Sequence, residues 1–103
     1  MAIALHTQYD GVVPYTWLAI ALERLRGISA DEVIEVLGAD RRMPVSASHD
    51  GLPVLTIWAR TRAGRPLIVA LRPLGKFDYE IVGASDMTDE QQQHLCQWEE
   101  RQS

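Results

Sequence analysis

Nine of the ten basic residues in this chain are arginines, and most of the positive charge is gathered in one stretch. Residues 41–77 hold Arg41, Arg42, Arg60, Arg62, Arg65, Arg72 and Lys76 against Asp50 alone. The flanks have the opposite sign, with two basic and six acidic residues over 1–40 and one basic and seven acidic over 78–103. A guanidinium is planar and always charged; it forks onto phosphate oxygens and stacks on a base or an aromatic ring. If residues 53–62 are extended, Thr56, Trp58, Arg60 and Arg62 stand on one face and Leu55, Ile57 and Ala59 on the other. A tryptophan among arginines is a surface that suits RNA, with Arg62, Arg72, Lys76 and Trp58 as binding candidates. The competing reading pairs the same arginines with the acidic flanks and leaves a solvated face.

Proton transfer needs a group that titrates near neutrality, and His6, His49 and His94 are the histidines present. His49 lies inside the basic block, in the turn-like His49-Asp50-Gly51, and is the candidate acid or base; Tyr79 is a weaker one. His94 reads as an exposed helical residue. Cys96 is the single cysteine, so neither a zinc site nor an internal disulfide is expected. No Gly-rich phosphate loop and no Gly-x-Ser-x-Gly elbow occurs, and no cofactor is expected.

The elements that must position these groups follow from periodicity. Trp17, Leu18, Ala21, Leu22 and Leu25 recur at helical spacing after Pro14, which predicts a helix from Pro14 to Arg26 ended by Gly27. Ser29-Ala30-Asp31-Glu32 is a capping box before Val33, Ile34, Val36 and Leu37, predicting a second helix that stops at Gly38. Val45–Ser48 and Pro53–Arg62 favour extended backbone. Arg62-Ala63-Gly64-Arg65 turns into Pro66–Arg72, and Leu74-Gly75-Lys76-Phe77 turns into Tyr79–Gly83, giving an antiparallel meander. Thr88-Asp89-Glu90-Gln91 caps a last helix carrying Leu95 and Trp98. The expected fold is a single α+β domain over residues 1–103, in the order α-α-β-β-β-α, with helices packed on the meander.

Two stretches resemble a known family. Leu25-Arg26-Gly27-Ile28-Ser29-Ala30-Asp31-Glu32-Val33 and Ala59-Arg60-Thr61-Arg62-Ala63-Gly64-Arg65-Pro66-Leu67-Ile68-Val69 resemble the His-Gly-Ile-Ser stretch and the Gly-Arg-Thr-x-x-Gly-Arg-x-Leu-x-Val hairpin of BrnT-type toxins. These are small RelE-like ribonucleases of bacterial type II toxin–antitoxin systems. The likeness runs from about Leu22 to Leu95 and includes Ile81-Val82-Gly83-Ala84-Ser85 before the last helix. It implies metal-independent cleavage of mRNA, with Arg60 and Arg65 on the phosphate and transition state and an antitoxin as inhibitor; His49, from its place in the basic block, is the candidate for the acid or base such cleavage needs. Arg26 stands where the family often has His, and Ser85 where it has Arg.

Composition bounds the alternatives. With 47% hydrophobic and 23% charged residues the chain is of ordinary globular type, and no apolar run approaches the roughly 20 residues of a membrane span. The first residues lack a basic head and a long apolar run, so a cytoplasmic protein is expected. The formal charge of -4 argues against a general nucleic-acid binder. The second hypothesis is therefore a non-catalytic module of the same fold that binds an acidic protein partner or pairs with itself as a homodimer through edge strands.

Overall fold

A computed structural model describes residues 2–5, 15–49, 51–75 and 78–102. His6, Pro14, Asp50, Lys76, Phe77 and the side chain of His49 lie outside the described residues. The elements are β1 (Ala2–Leu5), β2 (Tyr15–Leu18), α1 (Ala19–Glu23), α2 (Ala30–Leu37), β3 (Met43–His49), β4 (Leu52–Arg60), β5 (Pro66–Pro73), β6 (Tyr79–Asp86) and α3 (Asp89–Arg101). The fold is α+β. Its strands form one sheet in the order β1-β2-β6-β5-β4-β3, antiparallel except where β2 runs parallel to β6.

The helix expected from Pro14 to Arg26 is corrected. Residues Tyr15–Leu18 are a strand, and the helix that follows spans only Ala19–Glu23. The reason is tertiary: Tyr15 registers with Tyr79 and Trp17 with Ile81, which buries Trp17 to 1% exposure. Tyr, Thr and Trp are also better strand than helix formers. The expected order α-α-β-β-β-α therefore gives way to two strands, two helices, four strands and a helix.

The rest follows local chemistry. In α2 the Ser29 hydroxyl accepts from the Glu32 amide at 3.1 Å, and the Glu32 carboxylate accepts from the Ser29 amide at 2.9 Å. This closes the capping box, and the helix ends at Gly38. Thr88 and Gln91 form the same box at the start of α3. Val33, Val36 and Leu37 of α2 join Ala59, Leu67, Val69, Leu71 and Ile81 of the sheet and Trp17 in one core. Burial alternates strictly along β5 from Pro66 to Leu71, as a period of two requires.

Two irregularities shape the sheet. Ala70 pairs with Gly83 while Leu71 pairs with Ile81, so Val82 is an extra residue that bulges β6. At the other side, β3 ends the sheet; His49 pairs with Leu52 across a two-residue connection containing Gly51 at φ +78°. A positive φ there fits the tight hairpins that match strand twist.

Candidate functional site: the arginine hairpin

The turn joining β4 to β5 is closed from within. The Thr61 amide donates to the Arg65 carbonyl at 2.9 Å, the Gly64 amide to the Thr61 carbonyl at 2.9 Å, and the Arg65 amide to the Thr61 hydroxyl at 3.1 Å. Gly64 sits at φ +94°, a region that side chains with a Cβ resist. The turn thus sets Arg60 and Arg65 at the two strand ends.

Each arginine is held by carboxylates of this chain. Arg60 Nε donates to both Glu99 oxygens at 3.2 and 3.0 Å, and its Nη2 donates to Glu99 Oε1 at 3.1 Å and to Cys96 Sγ at 3.3 Å. Arg65 forks onto Asp86, Nε to Oδ1 at 3.0 Å and Nη2 to Oδ2 at 3.1 Å. Its Nη1 donates to Glu32 at 3.2 Å and to the Gly27 carbonyl at 2.7 Å. Arg60 therefore ties the hairpin to α3, and Arg65 ties it to the start of α2 and the end of β6. Arg62 is exposed, while its amide donates to Glu35 of α2 at 2.9 Å.

The electrostatics follow from these contacts. The Glu99 carboxylate raises the Arg60 pKa, and Asp86 followed by Glu32 raises that of Arg65. Glu32 is lowered from the ordinary carboxylate range, first by the Ser29 amide and then by Arg65. Among the described residues, the two guanidinium groups donate to carboxylates, one thiol and backbone carbonyls.

The other expected RNA contacts are spread out. Arg72 lies at the far end of β5, six residues past Pro66, the residue registered with Arg60, or about 20 Å along the strand. There it pairs with Glu80, whose side chain is 6% exposed. Trp58 is half-buried, and its Nε1 donates to the Thr56 hydroxyl at 2.9 Å, which in turn donates to the Val45 carbonyl at 2.6 Å. Tyr79 is half-buried on β6 with its ring 6.4 Å from that of Tyr15, and His94 is exposed on α3. Among the described residues no group of three or more His, Cys, Asp or Glu is placed to hold a metal. No described helix is long and apolar enough to cross a membrane.

One surface feature went unread in the sequence. Leu18, Ile20, Arg24, Leu52, Val54 and Arg72 help line a groove of about 320 Å³ between α1 and the sheet. Ile20 and Leu52 on its walls are 44% and 60% exposed, although both are large and apolar. The signal in the sequence was weak, because Ile20 falls off the expected helical stripe and Leu52 follows a turn glycine. No protein family, characterised protein or solved structure matches this chain.

Proposed function

We propose that this chain is a protein-interaction module that binds an acidic, partly apolar segment of a partner protein in the groove between α1 and the sheet. The observation that carries this reading is the groove itself, whose apolar walls carry Arg24 and, paired with Glu80, Arg72. Apolar walls supply non-directional attraction, and arginines at the rim select carboxylates over other groups. The occupied state of Arg60 and Arg65 agrees with it, since those arginines hold the fold together. We also propose a RelE-like arrangement, supported by the succession of two helices, the β4-β5-β6 meander and α3, with β1, β2 and β3 as additions to the expected order.

The ribonuclease reading is kept as the second one, because Arg60, Arg62 and Arg65 cluster on one hairpin as the BrnT resemblance implies. It requires RNA phosphate to displace Glu99, Asp86 and Glu32. One experiment separates the two. The chain is expressed under induction in a bacterial host, growth and intact RNA are followed, and a photo-reactive residue replaces Leu52. The module reading expects normal growth, intact RNA and a cross-linked protein whose capture is lost in Arg24→Glu. Growth arrest with RNA cleavage, abolished in a folded Arg60→Ala/Arg65→Ala variant, overturns it in favour of the nuclease.

A further inference from the structure

The bulge of β6 lies against the groove between α1 and the sheet. Val82 is the residue left without a partner on β5, and both it and Gly83 line the groove. Bulges recur beside binding sites, where they re-aim the chain. Gly83 follows the bulge and registers with Ala70, so two of the smallest residues stand side by side on the two central strands.

A glycine inside a strand weakens it, so its presence needs a reason. Backbone conformation does not supply one, because the positive-φ glycines among the described residues are Gly27, Gly51 and Gly64. Crowding does not supply one either: a Cβ built on Gly83 meets nothing within 4 Å beyond its chain neighbours. What glycine does here is leave a pit in the floor of the groove that a side chain would fill.

The surroundings of the pit define what suits it. Leu18, Ile20, Leu52 and Val54 are aliphatic walls, from which a large apolar side chain displaces water. Two guanidinium groups belong to the same lining, and they are not equivalent. Arg72 is held by the Glu80 carboxylate. Arg24 is exposed, and among the described residues no carboxylate pairs with it. One uncompensated cation beside one apolar pit matches one carboxylate beside one bulky side chain.

From this we infer that Gly83 is the anchor point of the groove: a partner segment inserts one large apolar side chain, of leucine or phenylalanine size, over Gly83 and sets one carboxylate on Arg24. The inference rests on the reading of the chain as a protein-interaction module, and it specifies which two groups of the partner are selected and which residues select them. Interfaces draw most of their binding energy from a few such anchors buried in pockets, while a charged neighbour fixes register. The absent side chain at Gly83 is therefore the specificity-determining feature, since any branched side chain there takes the place of the anchor.

Peptide selection tests this. Random dodecapeptides displayed on phage are selected on the immobilised full chain, and the enriched peptides are synthesised and titrated calorimetrically. They are expected to share one large apolar residue and one Asp or Glu. Replacing the large residue of the peptide by Ala is expected to weaken binding by about tenfold or more. Gly83→Val in the chain is expected to weaken it as much, with a urea midpoint equal to or above that of the unmodified chain, because valine favours a strand. A purely structural role for Gly83 does not move stability and affinity in opposite directions. In Arg24→Glu the preference for the acidic residue is expected to disappear. Peptides that lose affinity in Arg24→Glu but bind Gly83→Val as tightly as the unmodified chain overturn the anchor and leave the module reading standing. Enrichment of no sequence overturns both. Because the alanine peptide is read on the unmodified chain, failure of Gly83→Val to fold leaves the test intact: an alanine peptide that binds undiminished overturns the inference by itself.

Discussion

Glu32 serves two structures at once. One of its oxygens accepts from the Ser29 amide and closes the cap of α2, while the same carboxylate receives Arg65 from the hairpin. Both contacts favour the charged form, so its pKa is lowered in the folded chain, with the Ser29 amide as the larger cause. The sign follows from linkage. A carboxylate whose folded pKa is depressed contributes stability that is present above its unfolded pKa and is lost as pH falls through the folded one. The urea midpoint is expected to fall with acid below the usual carboxylate range, about pH 4, and Glu32→Gln to be less stable at neutral pH with a flatter acid limb. An unchanged acid limb in that variant removes Glu32 from the account. At this scale the sequence was half legible. The capping role of Glu32 lies three residues from its partner and could be read, whereas its second partner lies 33 residues away. The same holds for Arg60, whose carboxylate is 39 residues distant, so only the acidity of the helical flanks hinted that the arginines were spoken for.

Among the elements, those whose cause is local came out as expected. Both capping boxes, the Gly38 stop and the β4–β5 turn depend on neighbours within a few residues. Strand β2 was misread because its cause is remote: Trp17 has the same spacing to Leu18, Ala21 and Leu25 in a helix as in a strand that leads into one. Only burial against Ile81 decides between them. The β4–β5 turn allows a test of its own. A Cβ at Gly64 meets no atom within 4 Å, so Gly64→Ala is sterically free and its cost comes from φ alone. That cost is expected to be about 1–2 kcal/mol by denaturant unfolding. A neutral result shows that the turn relaxes to another backbone form, and the positions of Arg60 and Arg65 would then be set by their carboxylates rather than by the turn.

For the whole molecule, part of the segregated charge of the sequence is paired within the fold. The basic central segment meets acidic residues on α2, β6 and α3 through Arg65, Arg72 and Arg60. The groove between α1 and the sheet stays open, and that is where the proposed partner contact lies. The parallel pairing of β2 with β6 carries a further consequence, for how the chain reaches this state. Tyr15 must find Tyr79 across roughly sixty intervening residues, a closure whose entropy is recovered only after β6 exists. During synthesis β3, β4, β5 and α2 have partners within reach before β6 exists, so β2 waits for the strand it lies beside. In a Trp58→Phe/Trp98→Phe variant the fluorescence of Trp17 is expected to change in the slowest refolding phase, after the β-sheet circular dichroism has largely appeared. Simultaneous signals mean that β2 joins the rate-limiting nucleus itself.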